Sequence, residues 1–114
     1  MKIYVSHSTK FDYQKQLYEV LRNQKPAKHT FILPHENKVK NSKKTIQSAD
    51  LVLAEVSYPS LGQGIELGWA ETFKVPIIAI YQKGKKFGSS LRFVTTNIYQ
   101  YSNVHSLQKI IEKI

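Results

Sequence analysis

The sequence predicts a three-layer α/β sandwich of flavodoxin or Rossmann type, with a five-stranded parallel sheet in the order 2-1-3-4-5. Three observations carry this. Short β-rich runs alternate with helical patterns, which requires crossover connections and a parallel sheet. Two of those runs, Asp50–Val56 (DLVLAEV) and Pro76–Tyr81 (PIIAIY), are almost continuously apolar, as expected of strands covered on both faces. Five strands within 114 residues fit the doubly wound order.

Lys2–Ser6 (KIYVS) reads as the first strand and runs into the polar stretch His7-Ser8-Thr9. From Phe11 to Asn23, Tyr13, Leu17, Val20 and Leu21 recur at helical spacing, and Pro26 is expected to stop the pattern. Thr30–Leu33 (TFIL) reads as the second strand, closed by Pro34. After a polar loop through Asn41, Ser42 is the expected N-cap of a short helix to Ser48. The apolar run Asp50–Val56 is the third strand, and a loop containing Tyr58-Pro59-Ser60, Gly62 and Gly64 leads to a helix from Ile65 to Lys74. Pro76–Tyr81 is the fourth strand, Ser89–Val94 a turn or two of helix, and Ile98–Tyr101 the fifth strand. Leu107, Ile110, Ile111 and Ile114 fall at i, i+3, i+4 and i+7, so an amphipathic helix follows.

Composition narrows the chemistry. The length suits one domain over residues 1–114, and 41% hydrophobic residues describe a folded chain. With no Cys there is no disulfide, thiolate zinc site or cysteine nucleophile. No apolar run reaches the ~20 residues that span a bilayer, and Met1-Lys2 is not followed by a long apolar segment, so a cytoplasmic protein is expected. His7, His29, His35 and His105 lack metal-ligand spacing, and neither a metal nor a cofactor is expected. Seventeen Lys/Arg against eight Asp/Glu leave a net charge of +9. Lys25, Lys28, Lys38, Lys40, Lys43 and Lys44 face only Glu36 within one run. Such a run suits a solvated face or a phosphorylated small molecule. No RNA-binding aromatic signature or helix-turn-helix pattern accompanies it, so nucleic acid is not the expected partner.

The informative segment is Ala49–Ala70, ADLVLAEVSYPSLGQGIELGWA. It leaves the carboxyl end of the third strand, where doubly wound sheets bind ligands. Gly62 and Gly64 allow a tight turn and close approach to a ligand, and Ser60 adds a hydroxyl donor. Amides at the following helix start suit an anion. Glu66 is expected in the first helical turn, where the helix dipole favours a carboxylate. It reads either as a stabilising residue of that turn or as a nucleophile and stabiliser of positive charge. Gly68 inside the helix points to close packing against the strand or a ligand, and Trp69 to packing beneath the loop.

This segment, SADLVLAEVSYPSLGQGIELGWA, closely resembles the signature of the nucleoside 2-deoxyribosyltransferase superfamily, nearest the 2'-deoxynucleoside 5'-phosphate N-hydrolases, whose loop also reads Pro-Ser-Leu-Gly-x-Gly-x-Glu-Leu-Gly. The likeness is strong over Asp50–Tyr81 and extends weakly to KIYVS. It implies Glu66 as the carboxylate acting at C1' and Tyr4 as the hydroxyl that orients it. It also implies Ser60 as a 5'-phosphate ligand, in place of the Asp with which deoxyribosyltransferases grip the sugar. Ser89 or Ser90 would be a phosphate ligand donated across a homodimer.

Two positions depart from that pattern. The loop after the first strand reads Ser6-His7-Ser8-Thr9-Lys10-Phe11-Asp12 instead of a Gly-Ser-Ile-Arg-Gly-Gly type, leaving Ser8 and Lys10 as phosphate ligands. Ser42 stands where the family has an acidic partner to the base, with His35, Glu36 or Asp12 as substitutes. The implied substrate is a nucleoside monophosphate or nucleoside, cleaved by water or transferred to a second base. Tyr4-Val5-Ser6-His7-Ser8 with Asp12 also resembles the opening of TIR domains, which implies NAD cleavage as an alternative. A nucleotide-binding module without turnover is the other.

Overall fold

The computed structural model describes residues 1–24, 28–36 and 39–114. Pro26, and Lys25 and Lys38 of the basic run, lie outside the described residues. Five strands form one sheet, β1 (Lys2–His7), β2 (Thr30–Ile32), β3 (Leu51–Glu55), β4 (Ile77–Gln82) and β5 (Ile98–Tyr101). All pairings are parallel and the order is β2-β1-β3-β4-β5, as expected. The chain leaves β1 toward one edge and later crosses back over it to β3. That reversal puts a cleft between the carboxyl ends of β1 and β3.

Strand alternation divides the interior into two layers. Ile3, Val5, Leu51, Leu53, Ile80 and Tyr101 meet Leu17, Tyr18, Val20 and Leu21 of α1 (residues 14–22) and Leu107 and Ile111 of α4 (Val104–Glu112). On the other face Tyr4, Val52, Ala54, Ile77 and Ala79 meet Ile46 of α2 (Ser42–Gln47) and Leu67 and Ala70 of α3 (Leu61–Thr72). β3 is buried at every position, as its apolar run demands. Among the described residues no helix is long and apolar enough to cross a membrane.

The helices depart from the expected boundaries in informative ways. α1 opens with a wide π-type turn over Gln14–Tyr18 and continues as α-helix over Glu19–Arg22. The wide turn buries Tyr18 beside Leu17, an addition to the expected apolar stripe. Asn41, not Ser42, caps α2, its side chain accepting from the Lys44 amide at 3.1 Å. α3 starts at Leu61 rather than Ile65, because the Ser60 oxygen accepts from the Gln63 amide at 3.5 Å. Gly62 and Gly64 are therefore helical, and neither has positive φ. Beside Gly68 a Cβ would meet nothing within 4 Å, so close packing is not what that glycine serves.

α3 ends in a Schellman motif. Val75 N–H donates to the Ala70 carbonyl at 2.9 Å and Lys74 N–H to that of Glu71 at 3.1 Å, with Lys74 at φ 58°. A lysine there carries the left-handed strain that glycine avoids. Lys74→Gly is expected to raise unfolding free energy by roughly 0.5–1 kcal/mol, read as a higher denaturant midpoint at unchanged slope.

Candidate active site

Tyr4 and Ser6 are two residues apart on β1 and point to the same sheet face, toward α3. Their hydroxyls meet the two oxygens of one carboxylate: Tyr4 Oη donates to Glu66 Oε2, and Ser6 Oγ donates to Glu66 Oε1 at 2.8 Å. The later-than-expected position of Glu66, in the second turn of α3, takes it off the helix end. Two hydroxyl donors now meet its charge, where the sequence pattern invoked the dipole. Burial raises the Tyr4 pKa well above the ordinary phenol value, and the hydrogen bond to Glu66 adds to the rise. Tyr4 therefore stays a donor through neutral and mildly alkaline pH.

Tyr4 and Glu66 open on a cleft of about 740 Å³. Thr9 and Ser60 line it from the loops after β1 and β3, Gly62 from the first turn of α3, and His35, Lys40, Ser42 and Lys43 from the segment after β2 and from α2. Trp69, one turn beyond Glu66, lines the cleft while also packing on the core beneath it.

No protein-family model matches the chain. Over 39 residues it is 51% identical to a putative 2'-deoxynucleoside 5'-phosphate N-hydrolase 1 of Syntrophotalea carbinolica, covering 34% of this chain and 28% of that one. The match thus spans less than a third of that relative's length. The fold is similar to that of a CMP N-glycosidase of Clostridium botulinum, with TM-score 0.72, 19% identity, and 98% and 99% of the two chains covered. A 2-deoxyribosyltransferase of Bacillus psychrosaccharolyticus gives TM-score 0.67 at 18% identity over 95% and 90%. Sequence and fold together support the nucleoside 2-deoxyribosyltransferase superfamily. The three relatives named are N-hydrolase, N-glycosidase and deoxyribosyltransferase enzymes.

Of the candidate site residues, the structure brings Tyr4, Glu66, Ser60, Gly62 and His35 to one cleft. Ser60 spends its oxygen on the α3 cap and keeps its O–H to donate. Ser8 is buried, accepts from the Lys10 amide at 3.1 Å, and is not among the cleft residues. Lys10 Nζ donates to the Pro59 carbonyl at 3.0 Å, tying the loops after β1 and β3 together. Gly64 and Ser90 line a different cleft of about 310 Å³, under Phe87 and Leu91. Ser89 is exposed at the start of the 3₁₀ turn Ser89–Phe93. Among the substitutes for the missing acid, Glu36 pairs with Arg22 at 3.0 Å and Asp12 accepts from the Lys15 amide at 3.4 Å. Neither lines the cleft; His35 does.

Three supporting residues are not marked as such by the sequence. Ser6 is one. Gln63, 6% exposed, is another: its Nε2 donates to the carbonyls of Ser6 at 3.1 Å and Glu55 at 2.7 Å, pinning the first turn of α3 to the ends of β1 and β3. Ser60-Leu61-Gly62-Gln63 fits the S-x-x-Q start signal, which would have placed that turn.

The third is Glu55, buried on the opposite sheet face. It accepts from the Ser57 amide at 2.6 Å, the Ser57 hydroxyl at 3.0 Å and the Tyr101 hydroxyl. Burial raises its pKa above the ordinary carboxylate value, against the lowering by these bonds. A carboxyl that holds its proton more tightly when folded contributes stability fully present below about pH 4.5, its unfolded value, and lost as pH rises through the folded value. In Glu55→Gln that part of the pH slope disappears, as urea unfolding of both proteins across pH 4–8 would show.

Proposed function

We propose that this chain is an enzyme that breaks the N-glycosidic bond of a (deoxy)nucleoside 5'-monophosphate, by hydrolysis or by transfer of the base, with Glu66 at C1'. One observation carries the reading: a half-buried carboxylate gripped on both oxygens by Tyr4 and Ser6, opening on a cleft at the switch point of the sheet. Cleavage develops positive charge at C1' and negative charge on the leaving base. A fixed carboxylate stabilises the first, and its negative charge is held in place without reorganisation. The two hydroxyl bonds set the direction of the oxygens, which is how positioning lowers the barrier. The names of the relatives, an N-hydrolase by sequence and an N-glycosidase and a deoxyribosyltransferase by fold, support this reading.

Ser60 within Pro59-Ser60-Leu61-Gly62 and the 5'-phosphate in the name of the Syntrophotalea relative support the monophosphate. Ser60 is then the phosphate ligand from this chain, with Ser89 or Ser90 of a second copy completing the site in a homodimer. Chromatography of the base released from a panel of nucleosides and nucleoside monophosphates tests the reading. Release from monophosphates, lost in Glu66→Gln, supports it; no base from any of them contradicts it. A second base in the mixture separates transfer from hydrolysis, and nicotinamide released from NAD would point to the TIR-like alternative.

A further inference from the structure

Resting on that reading, we propose that His35 is the general acid that protonates the departing base. Cleavage at a neutral heterocycle needs a proton donor on the base side, and the acidic residue that the pattern leads one to expect is Ser42 in this chain. The side chains lining the cleft leave few groups to supply it. Tyr4 is committed to Glu66 and its proton is held more tightly by burial. His7 also lines the cleft, but both ring nitrogens are used: Nδ1 donates to the Ser8 carbonyl at 2.8 Å, and Nε2 accepts from the Tyr18 hydroxyl at 2.6 Å. Burial lowers its pKa, which keeps the ring neutral in that tautomer.

His35 is different. Its backbone is anchored, the amide donating to Tyr18 Oη at 3.3 Å, and its ring sits 5.2 Å from that of His7 and 5.3 Å from that of Tyr13. Among the described residues no hydrogen bond engages its ring nitrogens. The result is an exposed imidazole on a fixed stem, on the wall formed after β2, lining the same cleft as Glu66. The ionisable groups around it are His7 from β1, Tyr13 and Tyr18 from α1, Lys40 after β2, Lys43 from α2, and Tyr4 with Glu66 across the cleft. Glu36 beside it is turned to Arg22.

The step balances. As the Glu66 carboxylate bonds C1', the C1'–N bond breaks and its electron pair goes to the base. The His35 imidazolium gives that base a proton. Water then adds to C1', displacing the carboxylate, and its proton returns to the neutral imidazole.

The test compares two substrates with one sugar phosphate: a natural nucleoside monophosphate, and the 4-nitrophenyl glycoside 5'-phosphate, whose leaving group needs no protonation. In His35→Gln, kcat on the natural nucleotide is expected to fall ~100- to 10,000-fold, with loss of the alkaline limb of its pH profile. On the nitrophenyl substrate it should fall less than about tenfold, with Glu66→Gln inactive on both. His35→Asn should repeat the pattern. An equal loss on both substrates, an unchanged alkaline limb, or the same signature from Lys40→Gln or Lys43→Gln overturns the assignment alone. A wild-type chain inactive on both substrates overturns the underlying reading and the assignment with it.

Discussion

Glu66→Gln is expected to lower kcat for base release by at least about a thousandfold while leaving the fold intact. The substitution keeps the size of the side chain and removes its charge and one acceptor. Tyr4 Oη and Ser6 Oγ each donate to one oxygen of the wild-type carboxylate. An amide offers one oxygen and one NH₂, so one of those donors faces another donor. The residue is half-buried at the rim of an open cleft, so water takes up the orphaned group and global stability changes little. Circular dichroism and the unfolding midpoint should match wild type. A variant that retains more than a tenth of wild-type activity would show that the carboxylate is not the group acting at the sugar.

Removing the donors gives the second large effect. Tyr4→Phe and Ser6→Ala each delete a hydrogen bond to an ionised acceptor, of the class contributing about 1.5–3 kcal/mol. If that energy is expressed in the transition state, kcat falls about 10- to 100-fold per substitution with KM nearly unchanged. Both donors act on one carboxylate, so the double variant should lose less than the product of the two single losses. A rise in KM at constant kcat would instead mean that the hydroxyls touch substrate.

The strands were legible because apolar continuity and alternation state directly which faces are covered. Asp50–Val56 and Pro76–Tyr81 each lie within a residue or so of β3 and β4. Helix starts were less legible where glycine and serine compete for meaning. Gly62 and Gly64 read as a loop, yet the Ser60 cap carries them into the first turn of α3. The pairing of Tyr4 with Glu66 follows from a likeness that spans both segments, whereas Ser6 is silent in the sequence. Only its position two residues after Tyr4 on one strand face reveals it.

The residues expected to hold phosphate were the hardest to read. Ser8 and Lys10 have the right chemistry, and within their loops Ser8 accepts from the Lys10 amide while Lys10 donates to the Pro59 carbonyl. A residue pattern does not distinguish a donor that waits for a ligand from one that closes its own loop. The buried network of Glu55, Ser57 and Tyr101 was hidden for a related reason, since Glu55 sits in a strand whose other residues are apolar.

The most direct measurement is a crystal structure of Glu66→Gln soaked with a nucleoside monophosphate that the wild-type enzyme turns over. The reading requires the sugar in the cleft beneath Trp69 and His35, with C1' about 3–3.5 Å from the substituted side chain. A nucleotide seated instead in the cleft under Phe87, or one whose anomeric carbon lies out of contact with that side chain, would contradict it.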